Sequence, residues 1–166
     1  MPLSRLGIDM GSVAIHATLL DDGDRVLWSG SRTSSGQPRK ALRDLLGTIP
    51  ATIATGPVVV VVTGSGRGLA AAALPGCQQV NDVVATARGA AAAAPGVRGV
   101  IEIGGHMSRW IALEEGPGGD IGDFSLSELC AAGAGVFLDQ QSGRLQLDVA
   151  ALSDLAAIAP RGATVA

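Results

Sequence analysis

Two glycine-containing turns, each preceded by an acidic residue, have the residue types that phosphate chemistry needs. The two sets are Asp9 with Gly11 and Ser12, and Glu102 with Gly104 and Gly105. Glycine lets a phosphate approach backbone N–H groups, and a nearby carboxylate can hold a hydrated Mg²⁺. A lone turn of this kind is more often structural, but two copies with the carboxylate at the same offset favour a nucleotide site.

Both turns must lie between paired strands if they are to present their backbone in this way. Residues Leu6 to Leu20 alternate apolar and polar side chains on both sides of the Gly-Ser pair, and Gly99 to Leu113 matches that pattern in outline. We therefore expect two hairpins of one design, with a third strand at Arg25 to Ser29. No Gly-Lys-Ser/Thr follows either turn, which excludes a Walker A loop.

A run of valines is the clearest strand in the sequence. Val58 to Val62 lies between Pro57 and Gly64, which is typical of a central strand buried on both faces of a sheet. It leads into a glycine-rich turn, a common ligand-side position in α/β sheets. Arg67 in that turn is equally suited to pairing with a phosphate and to capping the turn.

Start and stop signals predict several helices. They cover Pro38 to Leu46, a short alanine-rich stretch ended by Pro75 and Gly76, Asn81 to about Ala94, and Asp148 to Ile158. A loop is expected over Glu114 to Asp123. Ser125 and Glu128 have capping-box spacing, which predicts a further helix opening near Cys130.

The remaining reactive side chains have weaker signals. At the first turn of a helix, unpaired N–H groups would lower the pKa of the Cys130 thiol and favour a metal ligand or nucleophile, although a small buried cysteine is the commoner interpretation. Cys77 is expected to be inert. His16 and His106 each follow a glycine turn and are expected to be solvated, and Arg109 is expected to face solvent.

Composition excludes several classes of protein. The 166 residues are 47% hydrophobic, which argues against disorder, and only 2% aromatic, which argues against base-stacking nucleic-acid binders. Twelve basic against fifteen acidic residues leave no basic footprint for nucleic acid or an anionic membrane. No apolar stretch approaches the roughly 20 residues of a membrane span, and the N-terminus lacks an export pattern. With two cysteines, a reducing cytoplasm is the expected compartment.

Taken together, the motifs resemble the ATP-dependent activators of 2-hydroxyacyl-CoA dehydratases and the ATPase subunits of benzoyl-CoA reductases. The matching segments, in chain order, are Gly7 to Ser12, Thr63 to Arg67, Asp82 to Ala90, Glu102 to Gly105 and Cys130 to Leu138. The last is the most specific, and it favours a ligand role for Cys130. The resemblance implies an α/β, ribonuclease H-like (actin/Hsp70-type) ATPase lobe with a mixed central sheet flanked by helices.

The resemblance also implies roles for the residues of the two turns. Asp9 would hold Mg²⁺ through water, and Glu102 would position Mg²⁺ or the attacking water. The residues implied to contact ATP are Gly11, Ser12, Arg67, Gly104 and Gly105. Residues 1–97 would form the first ATPase lobe and residues 98–166 the start of a second, incomplete lobe.

An iron–sulfur function follows from the same resemblance. Cys130 would bind iron in a [4Fe-4S] cluster shared by a homodimer, and ATP hydrolysis would drive low-potential electron transfer to an acyl-CoA dehydratase or reductase component. Such members have two cluster cysteines in each subunit, whereas Cys130 is the one cysteine here that matches the motif.

Departures from the family pattern leave a second interpretation open. His16 stands where the family has lysine, Thr86 where it has histidine, and His106 and Met107 where it has glutamine and aspartate. The chain is then either an activator ATPase, present as a fragment or a degenerate relative, or a non-catalytic nucleotide-binding or scaffold domain without cluster or hydrolysis. A sugar or carboxylate kinase is disfavoured by the cysteine segment.

Overall fold

The chain folds into two compact units. The computed structural model describes residues 3–53, 56–116, 118–127 and 134–162. The first unit comprises Met1–Val100 and Ile111–Asp123, and the second comprises Ile101–Trp110 and Phe124–Ala166.

A five-stranded mixed sheet organises the first unit. Its strands are β1 (Ser4–Met10), β2 (Ala14–Leu20), β3 (Val26–Thr33), β4 (Val58–Thr63) and β5 (Gln78–Gln79). Their order is β3-β2-β1-β4-β5. β2 pairs antiparallel with β1 and β3, whereas β4 pairs parallel with β1 and β5. The first predicted hairpin and the third strand are confirmed, and β5 was not predicted.

The main core lies on one face of this sheet. Alternate residues of β1 and β2 point to that face and are buried: Leu6, Ile8, Met10, Ile15, Ala17 and Leu19. They pack against α1 (Pro38–Leu46) and α2 (Arg67–Ala73), which contribute Ala41, Leu42, Leu45 and Ala70. Leu42 and Leu45 share one stripe of α1 because they lie three residues apart.

The valine strand is present but less buried than its sequence indicates. Val62 is the one fully buried valine of β4, while Val58 is 38% exposed. β1, rather than β4, occupies the middle of the sheet. The expectation of burial on both faces is wrong because α1 and α2 pack on one face, whereas the opposite face lines a cavity.

A second, smaller core packs beneath α3 (Asp82–Ala93). The helix begins as predicted at Asn81, whose side chain accepts a hydrogen bond of 2.8 Å from the Val83 N–H. Val83 and Ala87 are buried with Ile111 and Leu113.

The second sheet has three strands. Its strands, in order, are β6 (Gly99–Ile103), β7 (Ser108–Leu113) and β8 (Ile121–Leu126). They are followed by α4 (Gly135–Arg144) and α5 (Val149–Ala157). The second predicted hairpin is confirmed, and so is the last helix, where Asp148 accepts a hydrogen bond from the Ala151 N–H at 2.7 Å.

The strand β8 corrects two expectations. Ser125 lies within β8 and starts no helix, and the expected loop of Glu114 to Asp123 ends earlier because β8 begins at Ile121. Ser127 closes this edge: its N–H donates to the Ser108 carbonyl at 2.9 Å, and its Oγ accepts from the Ser108 N–H at 3.1 Å. Pairing with β7 therefore overrides the local capping signal. Cys130 lies outside the described residues.

Among the described residues, no helix is both long and apolar enough to cross a bilayer.

The turn between β2 and β3 depends on the Asp21 carboxylate. It accepts hydrogen bonds from the Arg25 N–H at 2.9 Å, the Arg25 guanidinium at 2.8 Å and the Gly23 N–H at 2.9 Å. The backbone hydrogen bond from Arg25, followed by its guanidinium, holds the pKa of Asp21 below its ordinary value of 3.8.

We predict that Asp21→Asn lowers the melting temperature by a few degrees near pH 6, and that this difference from wild type shrinks below about pH 3.8. The pKa of Asp21 is lower in the folded state than in the unfolded state, so its ionised carboxylate stabilises the fold above the unfolded-state pKa. This stabilisation is lost as the pH falls through the folded-state pKa. Thermal melts between pH 2 and pH 7 measure this. The exposed neighbour Asp22→Asn is the control, and equal behaviour of the two variants would contradict the assignment.

Candidate functional site

The candidate site lies on the face of the first sheet opposite the main core. Because strand residues alternate between faces, Gly7 and Asp9 lie on this side of β1. The strand register places Asp9 between His16 of β2 and Thr63 of β4. These residues, with side chains from α3, line a cavity of about 460 Å³.

A close backbone approach holds the end of β1 against the turn that follows β4. The Gly66 N–H donates to the Met10 carbonyl at 2.8 Å. Gly64 has φ of +86°, and a Cβ there would come within 2.7 Å of the Met10 carbonyl oxygen and would collide with the Asp9 carboxylate. Only glycine fits at this position, so the turn can lie directly beside Asp9.

The Thr63 hydroxyl is the clearest sign of an additional polar group at this site. Among the described residues, Thr63 Oγ1 is buried and has no hydrogen-bond partner. Buried hydroxyls are normally hydrogen-bonded. Thr63 lies beside Asp9 in the strand register and lines the same cavity. This donor set of a carboxylate and a hydroxyl suits a hydrated Mg²⁺.

Arg67, His16 and Thr86 also belong to the first unit. Arg67 donates from Nη1 to the Gly64 carbonyl at 3.3 Å, which supports its turn-capping interpretation. His16 is exposed on the cavity wall, as expected for a solvated histidine. Thr86 is half-buried on α3.

The two glycine turns have matching geometry, as their sequences predict. A Cβ at Gly11 would lie 2.7 Å from the Ala14 carbonyl oxygen, and a Cβ at Gly104 would lie 3.0 Å from the Met107 carbonyl oxygen. In both hairpins the glycine therefore faces the carbonyl three residues later. Ser12 is tied to the chain after β3, because Ser34 Oγ donates to its carbonyl at 3.1 Å.

A partly buried ion pair joins the two strands next to the second turn. Glu102 Oε1 and Arg109 Nη2 are 2.9 Å apart, and the side chains are 31% and 9% exposed respectively. The expectation that Arg109 faces solvent is therefore wrong. Because Arg109 lies across the β6–β7 hairpin from Glu102, a charge partner on the covered face offsets the loss of hydration.

The start of α4 is bonded directly to the second glycine turn. The Gly135 N–H donates to the Gly104 carbonyl at 2.8 Å, and the Val136 N–H donates to the Gly105 carbonyl at 3.0 Å. Gly135 packs closely here, since a Cβ would be 3.2 Å from the Gly104 carbonyl oxygen.

The structure groups the predicted residues within each unit. Asp9, Gly11, Ser12 and Arg67 belong to the first unit, and Glu102, Gly104 and Gly105 to the second. The sequence predicts Thr63 and Gly64 in the turn after the valine strand, but it does not predict that they lie beside Asp9. Their position at the end of a strand parallel to β1 was the available signal. Within the described ranges, no three histidine, cysteine or acidic side chains form a metal-binding group.

Comparison with known proteins identifies the class. Residues 6–166 match the model of the BadF/BadG/BcrA/BcrD ATPase family. The chain therefore belongs to this ATPase family. The mixed α/β fold class expected from the sequence, that of actin-, Hsp70- and sugar-kinase-like ATPases, is confirmed.

Two similar proteins are activators of 2-hydroxyacyl-CoA dehydratases. The chain is 30% identical, over 154 residues, to the 2-hydroxyisocaproyl-CoA dehydratase activator of Clostridioides difficile, covering 90% of this chain and 55% of that protein. It is 30% identical, over 162 residues, to the (R)-2-hydroxyglutaryl-CoA dehydratase activating ATPase of Acidaminococcus fermentans, covering 95% and 59%.

A solved structure of such an activator has a similar fold. The activator of the 2-hydroxyisocaproyl-CoA dehydratase from Clostridium difficile, determined with bound ADPNP, superposes with a TM-score of 0.77 at 25% identity. It covers 98% of this chain and 60% of the activator. The chain thus spans between one half and two thirds of the length of these relatives.

We predict that Gly64→Ala lowers the free energy of unfolding by at least about 2 kcal/mol, because the methyl group meets Met10 backbone atoms at a positive φ. Urea denaturation measures this. Gly68→Ala is the matched control, since a Cβ there meets no atom within 4 Å and alanine favours the helix α2. A Gly64→Ala variant as stable as wild type would contradict the described approach.

Proposed function

We propose that this chain binds Mg·ATP through its two glycine turns and acts as the nucleotide-dependent part of an activator of 2-hydroxyacyl-CoA dehydratases. The main support is the position of Asp9, which lines an open cavity beside the unpartnered Thr63 hydroxyl and the glycine-only turn at Gly64. The ADPNP in the related activator supports a nucleotide as the ligand.

Each turn has its own role in this proposal. Asp9 would hold Mg²⁺ through water. The Thr63 hydroxyl would accept a hydrogen bond from a water of that hydration shell or donate one to it. Backbone N–H groups at Gly11 and Ser12 would contact phosphate oxygens. Arg67, already bonded to the Gly64 carbonyl, would stabilise this turn and add positive charge beside the phosphates.

We propose phosphate contacts for the second turn as well. Gly104 and Gly105 would offer backbone N–H groups, and Glu102 would position Mg²⁺ or the attacking water. Arg109 restricts the orientation of Glu102 through their 2.9 Å contact. A residue that orients water in this way contributes to phosphoryl transfer by positioning more than by covalent chemistry.

The connection to electron transfer lies in the hydrogen bonds between the second turn and α4. Because Gly104 and Gly105 accept from Gly135 and Val136, a nucleotide-dependent shift of the turn would displace the segment that begins with Cys130. Cys130 would ligate a [4Fe-4S] cluster shared with a second copy of the chain. The bound cluster would supply the low-potential electron for an acyl-CoA dehydratase component or a benzoyl-CoA reductase-like partner.

We propose residues 1–97 and 98–166 as the two functional lobes. The alternative function is a nucleotide-binding or scaffold domain without hydrolysis or cluster. The Glu102–Arg109 ion pair favours it, since the 2.9 Å contact with Arg109 already occupies one oxygen of the Glu102 carboxylate. His106 and Met107, at the same turn, remove further polar groups expected of the family.

For nucleotide binding, we predict that Asp9→Asn weakens Mg·ATP affinity at least about tenfold, while affinity for ATP in excess chelator changes little. The reason is that the lost charge acts on the metal ion. Calorimetric titration of wild type and variant measures both. Asp22→Asn, an exposed carboxylate in the β2–β3 turn, controls for net charge. Equal Mg·ATP affinity in wild type and Asp9→Asn would exclude Asp9 from the site.

For the cluster, we predict that the wild-type chain purified and reconstituted without oxygen retains iron and that Cys130→Ser loses it. Cys77 packs against the main core, so Cys77→Ser is the matched thiol control and should keep its iron. Iron and sulfide analysis of the three proteins measures this. Iron absent from wild type, or retained equally by Cys130→Ser, would contradict the cluster assignment without affecting the nucleotide result.

A further inference from the structure

One row of side chains crosses three neighbouring strands at the candidate site. The register pairs Asp9 of β1 with His16 of β2 and with Thr63 of β4. Residues paired across neighbouring strands point to the same face of a sheet, so these three side chains share one face. All three line the cavity of about 460 Å³. The row therefore places a carboxylate between an imidazole and a hydroxyl.

These three groups are all metal-binding types, but they do not suit the same metals. Carboxylate and hydroxyl oxygens suit Mg²⁺, whereas an imidazole nitrogen is a ligand of transition metals. The Cβ atoms of opposite residues on antiparallel strands are about 5 Å apart, so one ion can contact both His16 and Asp9. The Thr63 hydroxyl, buried without a hydrogen-bond partner among the described residues, supplies a further oxygen.

The surroundings of this row favour a cation. Among the described residues that line the cavity, Asp9 and His16 are the ionisable ones, and neither lysine nor arginine is present to repel a metal ion. Gly7, the next residue of β1 on this face, leaves space beside Asp9. A Cβ at Gly7 would meet nothing closer than the Thr18 carbonyl oxygen, at 4.0 Å. The cavity thus has room for an ion that keeps part of its hydration shell.

We propose that the metal ion bound at Asp9 takes His16 as a direct ligand, and that the site therefore selects a divalent transition ion such as Mn²⁺ over Mg²⁺. This inference rests on the proposed nucleotide function, because the ion is the one that accompanies the nucleotide. Among the described residues, fewer than three histidine, cysteine or acidic side chains meet here. Water and phosphate oxygens would take the remaining ligand positions.

Electron spin echo spectroscopy of bound Mn²⁺ tests the direct ligand. The full chain is labelled with ¹⁵N and loaded with Mn·ADPNP at about pH 8, because imidazole binds metals in its neutral form. A ligating ¹⁵N gives a coupling that differs from that of the ¹⁴N atoms of the nucleotide. We expect this coupling in wild type and its loss in His16→Ala and in His16→Lys, whose ammonium has no lone pair for a metal. The chain has two histidines, so His106→Ala is the matched control and should keep the coupling.

Calorimetric titration measures the metal preference. Mn·ADPNP should bind wild type at least about tenfold more tightly than Mg·ADPNP, and this ratio should fall at least about fivefold in His16→Ala. Thermal melts should show both His16 variants folded, since the side chain is exposed.

The outcomes separate this inference from the proposed function. Binding of Mg·ADPNP without ¹⁵N coupling to bound Mn²⁺, or coupling that only His106→Ala removes, would overturn the ligand role of His16 and leave nucleotide binding intact. Failure of both metal nucleotides to bind would contradict the proposed function. In that case Mn²⁺ alone is the probe: ¹⁵N coupling that His16→Ala removes would support the ligand role, and absence of the coupling would overturn it.

Discussion

The close contact between the end of β1 and the turn after β4 is the constraint on which the candidate site depends. The Gly66 N–H binds the Met10 carbonyl, and Gly64 leaves no room for a side chain beside Asp9. Parallel pairing of β1 with β4 brings these two strand ends to one edge. A carboxylate, a buried hydroxyl and a glycine turn thereby meet at the position where α/β sheets commonly bind ligands.

The period of two along each strand divides every sheet of this protein into faces with different roles. In the five-stranded sheet, Ile8 and its neighbours form a core with α1 and α2, while Asp9 and Thr63 face a cavity. In the three-stranded sheet, one face contains the Glu102–Arg109 ion pair, whereas the other exposes Ile101 and Ile103. Among the described residues, α1 and α2 cover the core face of the first sheet, whereas Ile101 and Ile103 of the second sheet are exposed.

Helix caps and turn glycines predicted the helices and hairpins whose ends depend on nearby residues. The cap at Asn81 and the cap at Asp148 defined helices that the structure confirms, and the small residues at Gly11 and Gly104 defined both hairpins. The incomplete burial of β4, the strand β8 and the buried Arg109 were mispredicted. Each depends on a contact with another element of the fold: helices on one sheet face, β7 beside β8, and Glu102 on the neighbouring strand of the hairpin. Similarly, Asp9 could be proposed from sequence, but its neighbours His16 and Thr63 follow only from the register.

The central claim is that the carboxyl ends of β1 and β4, where Asp9 and Gly64 lie, form a Mg·nucleotide site. Titration of ¹⁵N-labelled chain with Mg·ADPNP, followed by amide chemical shifts, tests it most directly. We predict that the largest shifts occur at Gly11, Ser12, Gly64 and Ser65, and that they shrink when Mg²⁺ is chelated. Saturating nucleotide that leaves these amides unchanged, or that shifts residues around α1 instead, would contradict the claim.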